Sequence, residues 1–279
     1  MEKLQGKGFD GKAFYRSALG LIIPIALQNL INVGIQSADV IMLGKVGETA
    51  LSGASLAGQV QFVMSLIFFG LSSGAAVLTA QYWGKGDVRA IEKVMSIALR
   101  LAVGSALVFA LAALLIPAQV MRIFTPNEEV VQQGVRYLRV VAPSYLLMGF
   151  TNVYMNILRS VERVIISTVV YTTSFFANIA LNAVLIFGLF GLPAMGTQGA
   201  ALATATARVL EMVIVVVYII RNPVLRLRRK DFFTTHKVLF RDFTKYSGPT
   251  ILNEMLWGLA MATNAVIIGH MGVEATAAN

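Results

Sequence analysis

Seven long apolar stretches constrain the fold of this chain more than any other feature of its sequence. A helix needs about 20 mostly apolar residues to cross the hydrocarbon core of a membrane, and each stretch is long enough. They are Ala18–Leu43, Leu56–Ala80, Val94–Ile116, Tyr137–Leu158, Ile165–Leu189, Gly199–Ile220 and Tyr246–Ile268. None shows the alternation of polar and apolar residues that a membrane β-barrel requires. The sequence therefore predicts an all-α integral membrane protein.

The composition supports this prediction and excludes several kinds of site. Only 13% of the 279 residues are charged, about half the share typical of soluble domains. The absence of cysteine excludes disulfides, thiol nucleophiles and Cys-ligated metals. The two histidines, His236 and His270, are too few for a dedicated metal centre.

The distribution of positive charge predicts how the chain crosses the membrane. Of the 23 Lys and Arg residues, 17 fall in the N-terminal tail and in the second, fourth and sixth connections between spans. Because cytoplasmic loops carry the excess of Lys and Arg, we expect a multi-pass protein of the inner (plasma) membrane with a cytoplasmic N-terminus. The basic run Arg221–Lys245 is then a linker facing anionic lipid, and we expect no nucleic-acid partner.

An internal repeat predicts the domain organisation. A shift of 225 residues aligns the seventh span with the first, so that Pro24 meets Pro249 and Gly44 meets Gly269. The repeat unit contains six helices, an even number, so both copies enter from the same side. We therefore expect a cytoplasmic tail (1–17), a six-helix lobe (18–220), a basic linker (221–245) and the first helix of a second lobe (246–279). The rest of that second lobe is expected in a longer protein, of which this chain is a fragment.

Polar residues within the spans indicate a cation site. A carboxylate within a membrane is costly and is therefore a functional candidate by default; the spans contain Asp39, Glu211 and Glu254. The rise of 1.5 Å per residue places Asp39 near the outer end of the first span. It brings Asn178 and Asn182 of the fifth span and Thr204 of the sixth span to a similar depth. These groups offer either oxygen ligands for Na⁺ or a protonatable acid with a hydrogen-bonding shell.

Other residues receive separate interpretations. Glu254 lies near mid-depth and is a candidate for coupling or for contact with substrate. Arg208 and Glu211, three residues apart, are expected to form an intrahelical ion pair. Pro24 and Pro249 interrupt their helices and are candidate hinges.

No enzyme signature is present. The GKG at 84–86 lacks the P-loop spacing, so we expect an ion gradient of H⁺ or Na⁺ as the energy source and no other cofactor.

Four segments of the chain resemble the multidrug and toxic compound extrusion (MATE) family. They are PIALQNLINVGIQSADVIMLGKVG in the first span, AQYWGKGD at Ala80–Asp87, NIALNAVLIFG at Asn178–Gly188 and GAALATATAR at Gly199–Arg208. The resemblance implies an efflux antiporter with two six-helix lobes that open alternately to either side. Such proteins exchange amphiphilic, often cationic, compounds for Na⁺ or H⁺.

The resemblance also implies roles for individual residues. It assigns cation coupling to Asp39, Asn178, Asn182 and Thr204, and Asn182 stands where the closest pattern has Asp. Glu254 follows Pro249 by five residues, whereas the family spacing is about eight.

Two alternatives remain at this stage. A lipid-linked saccharide flippase shares the broader architecture, but it would favour a cavity with several basic residues. A seven-helix receptor or channel takes the seven spans literally, and the repeat and the basic N-terminal tail oppose it.

Overall fold

The computed structural model describes residues 11–221, 225–234 and 236–271, and all regular structure in these ranges is helical. A single 3-10 turn at Leu189–Gly191 lies between the seventh and eighth α-helices. The α-helices of the described ranges are α1 (Gly11–Gly44), α2 (Glu48–Gly84), α3 (Val88–Leu115), α4 (Pro117–Phe124), α5 (Glu128–Val141), α6 (Ser144–Ser160), α7 (Val164–Phe187), α8 (Thr197–Arg221), α9 (Arg229–Phe233) and α10 (Lys237–Met271). The prediction of an all-α fold is confirmed.

Five helices in these ranges, α2, α3, α7, α8 and α10, are long and apolar enough to cross a membrane. The protein is thus a multi-pass membrane protein. Six of the predicted spans coincide with single helices, which extend beyond the predicted limits at most ends.

The fourth predicted span, Tyr137–Leu158, is not one helix. It is divided into α5 and α6 at Pro143, which has no backbone N–H to donate to the helical ladder. The start of this segment also differs from the prediction, because the side chain of Asn127 accepts hydrogen bonds from the backbone N–H groups of Glu129 and Val130. This cap starts α5 nine residues before Tyr137.

The predicted linker 221–245 is shorter in the structure, since α10 already begins at Lys237. Two short helices, α4 and α9, were not predicted. The predicted N-terminal tail lies mostly outside the described residues, as do residues 272–279 of the predicted second lobe.

The core of the bundle lies around α2, α3 and α6. Phe68 and Met64 of α2 are completely buried, as are the alanines that recur at every fourth position of α3 from Ala98 to Ala106. Small residues let neighbouring helices approach closely in a membrane. A Cβ added at Gly149 of α6 would contact the Phe68 ring and the carbonyl oxygen of Ala102.

Helices α1 and α10 lie at the edge of this core. Helix α1 packs mainly on α7, whereas α10 packs along α2. The α2–α10 contacts are made at glycines that leave no room for a Cβ. They pair Gly70 with Ile251, Gly74 with Ser247, and Gly258 with Leu66. Both edge helices are long, with 34 and 35 residues, and each contains a proline in its first half, as the repeat predicts.

Residues 225–234 are fastened to the start of α3 by a group of charged side chains, which we call the linker clamp (Arg89, Glu92, Arg228 and Asp231). Arg89 donates from Nη1 to Asp231 Oδ2 at 2.5 Å and from Nη2 to Asp231 Oδ1 at 2.8 Å. Nη1 of Arg89 also donates to Glu92 Oε2 at 2.9 Å. Arg228 Nε lies 3.4 Å from the same Glu92 oxygen. The segment after α8 is therefore held on the first six spans rather than on α10 alone.

Candidate cation site

The four side chains predicted to form a cation site lie together where α1, α7 and α8 meet; we call them the cation cluster (Asp39, Asn178, Asn182 and Thr204). Nδ2 of Asn182 donates to Asp39 Oδ1 and also to Asn178 Oδ1, the latter at 3.0 Å. Nδ2 of Asn178 donates to Thr204 Oγ1 at 3.5 Å. A chain of hydrogen bonds thus connects α1 to the consecutive helices α7 and α8.

Local backbone geometry brings these helices together. Helix α7 ends at Gly188, whose φ of 72° is left-handed and reverses the chain toward α8. At the start of α8, a Cβ on Gly199 would collide with the carbonyl of Leu185, so a glycine is needed for the close crossing of α7 and α8. On the other side of α7, Gly34 of α1 faces the Phe175 ring. The cluster therefore lies between closely packed backbones.

The cluster contains an oxygen that has no hydrogen-bond partner. Asn182 is completely buried, and its Oδ1 accepts no hydrogen bond within the described chain. Buried polar atoms are almost always satisfied, so such an oxygen calls for an explanation. The Asp39 carboxylate and the Thr204 hydroxyl are further hard oxygen atoms of the cluster, and this type of ligand suits Na⁺. The same carboxylate, bonded by an amide, is equally suited to carry a proton.

Tyr137 of α5 belongs to this site and was not predicted. Its side chain lies close enough to Thr204 and to Asp39 to interact with both. The sequence offered one signal, since Tyr137 lies at the outer end of the fourth predicted span. A tyrosine at that depth is typical of the aromatic belt of membrane proteins, so its position alone does not indicate a more specific role.

One turn further along α8 lies a second charged group. Arg208 Nη1 donates to Glu211 Oε1 and Oε2 at 2.9 and 3.0 Å. Oγ of Ser174, on α7, donates to Glu211 Oε1 at 2.7 Å. The predicted intrahelical pair is present, and the contact with α7 is additional. Only 1% of the Glu211 surface is exposed.

The remaining candidates lie apart from the cluster. Glu254 is half-buried on α10, which packs on α2, and it has no hydrogen bond or ion pair with the part of the chain that the structure describes. Pro24 and Pro249 each lie inside a helix that continues past them. Their roles as a coupling residue and as hinges stay predictions.

Comparison with known proteins assigns the family. The MatE family model matches residues 24–184, more than half of the chain. The chain belongs to the MatE family. The matched region contains three members of the cation cluster, and Thr204 lies beyond it.

Relatives of this MatE chain are described as a transporter and as multidrug resistance proteins. It is 24% identical over 265 residues to "Uncharacterized transporter YisQ" of Bacillus subtilis, an alignment that covers 93% of this chain and 57% of the relative. It is 27% identical over 266 residues to "Probable multidrug resistance protein NorM" of Thermotoga maritima, covering 94% and 56%. The chain thus spans just over half the length of these relatives.

A solved structure shows the same fold. The outward-facing conformation of a multidrug resistance MATE family transporter has a TM-score of 0.78 and 21% identity, over 88% of this chain and 54% of that one. At this identity the likeness shows the fold, and the site is argued from the residues of this chain.

Proposed function

We propose that this chain forms the first lobe and the seventh helix of a cation-coupled multidrug efflux antiporter that works by alternating access. Its substrates are amphiphilic or cationic small molecules, and the coupling ion is Na⁺ or H⁺. The observation that carries the proposal is the cation cluster, in which one carboxylate connects three membrane helices through neutral amides. The "multidrug resistance" descriptions of several relatives support the substrate class.

The orientation follows from the positive-inside rule. The linker clamp and the loop before α3 lie at the end of the bundle that carries most of the basic residues, and this end is cytoplasmic in the proposal. The cation cluster then lies in the outer half of the membrane. A cation arriving from outside reaches it before crossing the membrane, as an inward-directed ion gradient requires.

The geometry supports a mechanism in which α1 responds to the cation. Asp39 is tied to α7 by the Asn182 amide, and Gln28 Nε2 donates to Thr168 Oγ1 of α7 at 2.9 Å. A cation on Asp39 competes with the amide donor, which loosens the upper attachment of α1. Pro24 lies below Gln28 and provides a point at which α1 can bend.

The energy available from the gradient is adequate for such a rearrangement. Moving one charge across 100 mV provides about 2.3 kcal/mol, comparable to a few hydrogen bonds of the kind that hold α1.

The test is dye efflux from proteoliposomes by the two-lobed protein that contains this chain. A fluorescent cationic dye is loaded, and Na⁺ and H⁺ gradients are applied separately to wild type, Asp39→Asn and Asp242→Asn. Asp242 lies outside the cluster and provides the same chemical change as a control. We expect one gradient to drive efflux by wild type and the control but not by Asp39→Asn.

Other results would contradict the proposal. Efflux that is independent of both gradients would exclude an antiporter, and equal efflux by Asp39→Asn would remove the cluster from coupling. We also expect residues 1–279 alone to give no efflux against a gradient, because half of the central cavity belongs to the second lobe.

A further inference from the structure

Arg208 is the charged residue nearest the cation cluster along α8. It follows Thr204 by one helical turn, so its side chain leaves the same face of α8 directly inward of the cluster. It interacts electrostatically with Asp39 of α1 and with Tyr137 of α5. Tyr171 of α7 lies close enough to Arg208 to interact with it electrostatically. Tyr171 interacts in the same way with Arg159 of α6. Arg208 therefore lies within the electrostatic field of the site.

The ion pair with Glu211 occupies only one of the three guanidinium nitrogens of Arg208. A single nitrogen, Nη1, contacts both carboxylate oxygens. Nη2 and Nε form no hydrogen bond with the described residues, and 22% of the side chain is exposed. Two donor nitrogens of a permanent cation are thus free of hydrogen bonds with the described residues.

Glu211 has a second partner that does not depend on Arg208. The Ser174 hydroxyl donates to it at 2.7 Å, so the carboxylate keeps one hydrogen bond when the guanidinium moves. One guanidinium therefore lies between two carboxylates. Glu211 holds it by direct contact, and Asp39 attracts it from α1.

We propose that Arg208 is an internal competitor of the transported cation at Asp39, and that Glu211 sets the strength of this competition by holding Arg208 back. An incoming cation neutralises Asp39 and leaves Arg208 on Glu211. When the cation leaves, the bare carboxylate attracts Arg208, which hinders rebinding and favours release. Arg208 and Glu211 are positioning residues in this scheme. The inference depends on the proposed cation-coupled function.

The scheme predicts opposite effects from the two members of one ion pair. Without Arg208 the cation has no competitor, so it binds more tightly and leaves more slowly. Without Glu211 the guanidinium is free to compete, so the cation binds more weakly. Two residues that only stabilise the fold would change function in the same direction.

The experiment measures the coupling-ion concentration at half-maximal efflux (KM) and the maximal rate (kcat) for five proteins. These are wild type, Arg208→Gln, Arg208→Lys, Glu211→Gln and the double variant Arg208→Gln/Glu211→Gln. One charge at this range changes ion affinity by about tenfold. We expect Arg208→Gln to lower KM about tenfold and to lower kcat, and Glu211→Gln to raise KM about tenfold.

The remaining variants separate competition from plain electrostatics. Arg208→Lys retains the charge and is expected to stay within about threefold of the wild-type KM. The double variant should resemble Arg208→Gln, because Glu211 acts only through Arg208. If Arg208 and Glu211 acted as independent charges, their effects would cancel and the double variant would resemble wild type.

Several results would overturn the inference. They are KM shifts of the same sign in the two single variants, a double variant with the wild-type KM, or equal KM values for Arg208→Lys and Arg208→Gln. If Arg208→Gln does not fold, Glu211→Gln still tests the inference: its KM should rise while that of Arg208→Lys stays near wild type, and an unchanged or lowered KM in Glu211→Gln would overturn it. A wild type without gradient-driven efflux would refute the proposed function instead, so the two failures are distinguishable.

Discussion

The cation cluster and the linker clamp both contain carboxylates shielded from solvent, half-buried in the cluster and buried in the clamp, but the partners of these carboxylates differ. In the clamp, Glu92 and Asp231 are 4% and 2% exposed, and guanidinium groups contact both of them directly. Glu92 also accepts a hydrogen bond from the backbone N–H of Arg226 at 2.9 Å. In the cluster, Asp39 is bonded by a neutral amide, and the nearest guanidinium is engaged by Glu211.

We interpret this difference as that between a structural ion pair and the proposed cation site. A carboxylate that is already neutralised by fixed partners has little affinity left for a mobile cation. A half-buried carboxylate that only neutral donors hold is still short of positive charge. The clamp therefore holds a segment of chain, whereas the cluster suits the proposed uptake of an ion from solution.

The largest effect on ion dependence is expected when the Asn182 amide of the cation cluster is removed. Asn182→Leu removes the hydrogen bond to Asp39 and the unpartnered Oδ1 while keeping a similar volume. We expect the coupling-ion concentration at half-maximal efflux to rise at least tenfold, about the value of one charge-assisted hydrogen bond. The matched control is Asn152→Leu, because Asn156 Nδ2 donates to Asn152 Oδ1 on α6 at 3.0 Å without a nearby carboxylate. A rise of the same size in this control would show that any buried amide pair has this effect.

A substitution in the linker clamp should lower the stability of the protein and leave the ion dependence of efflux nearly unchanged. Asp231→Ala removes the bidentate partner of Arg89, and because that arginine is half-exposed the cost is modest. We expect the midpoint of thermal unfolding to fall by about 3 °C. The ion dependence of efflux should stay within about twofold of wild type. The control Asp242→Ala is expected to leave the unfolding midpoint unchanged, and a large change in ion dependence for Asp231→Ala would contradict the comparison.

The pH dependence of the clamp sharpens the comparison further. Burial raises the pKa of Asp231, but the hydrogen bonds and charge of Arg89, together with a contribution from His236, outweigh it and hold the pKa below its ordinary value of 3.8. A depressed pKa means that the stabilisation is complete above the ordinary value and is lost as the pH falls through the lower value.

The unfolding midpoints of wild type and Asp231→Ala should therefore differ by a constant amount from pH 7 to about 5 and converge below about pH 4. Differential scanning calorimetry in detergent measures both. Convergence already at pH 6 would show that a group other than Asp231 controls the clamp.

The smallest effect on ion dependence is expected at the longest hydrogen bond of the cation cluster. The Asn178–Thr204 hydrogen bond is 3.5 Å long, at the limit for such a bond. We expect Thr204→Val to raise the half-maximal ion concentration about threefold and Thr204→Ser, which keeps the hydroxyl, to stay close to wild type. Equal values for Val and Ser would exclude the hydroxyl as a ligand and leave only its volume.

Much of the fold and most of the cation cluster follow from the sequence. Helix length against membrane thickness predicts the spans, and residue depth along the helices brings Asp39, Asn182 and Thr204 to a similar level. Residue depth gives no information on the rotation of each helix about its axis, and this rotation decides whether side chains contact each other. Tyr137 was missed for that reason, although its depth was right.

The rest depends on contacts between distant parts of the chain. The spacing of Arg89 and Glu92 indicates a local pair, but Asp231, the other partner of Arg89, is 142 positions away. The basic residues around Asp231 indicate a lipid-facing linker, and two of the clamp's four residues, Arg228 and Asp231, lie within it. Pro143 is visible in the sequence, yet a proline in a membrane span is compatible with either a bend or a break.

The glycine contacts between α2 and α10 also matter for how the protein is made. Helix α2 is synthesised more than 150 residues before α10, so the groove at Gly70 and Gly74 is complete when α10 emerges. Helix α10 therefore packs against a surface of α2 that is already formed, and its docking depends only on how well the two surfaces fit together. A larger side chain at Gly74 would collide with the Ser247 backbone and leave the earlier helices intact. Such a substitution would appear as a defect in biogenesis of the seventh span and not as a loss of ion binding.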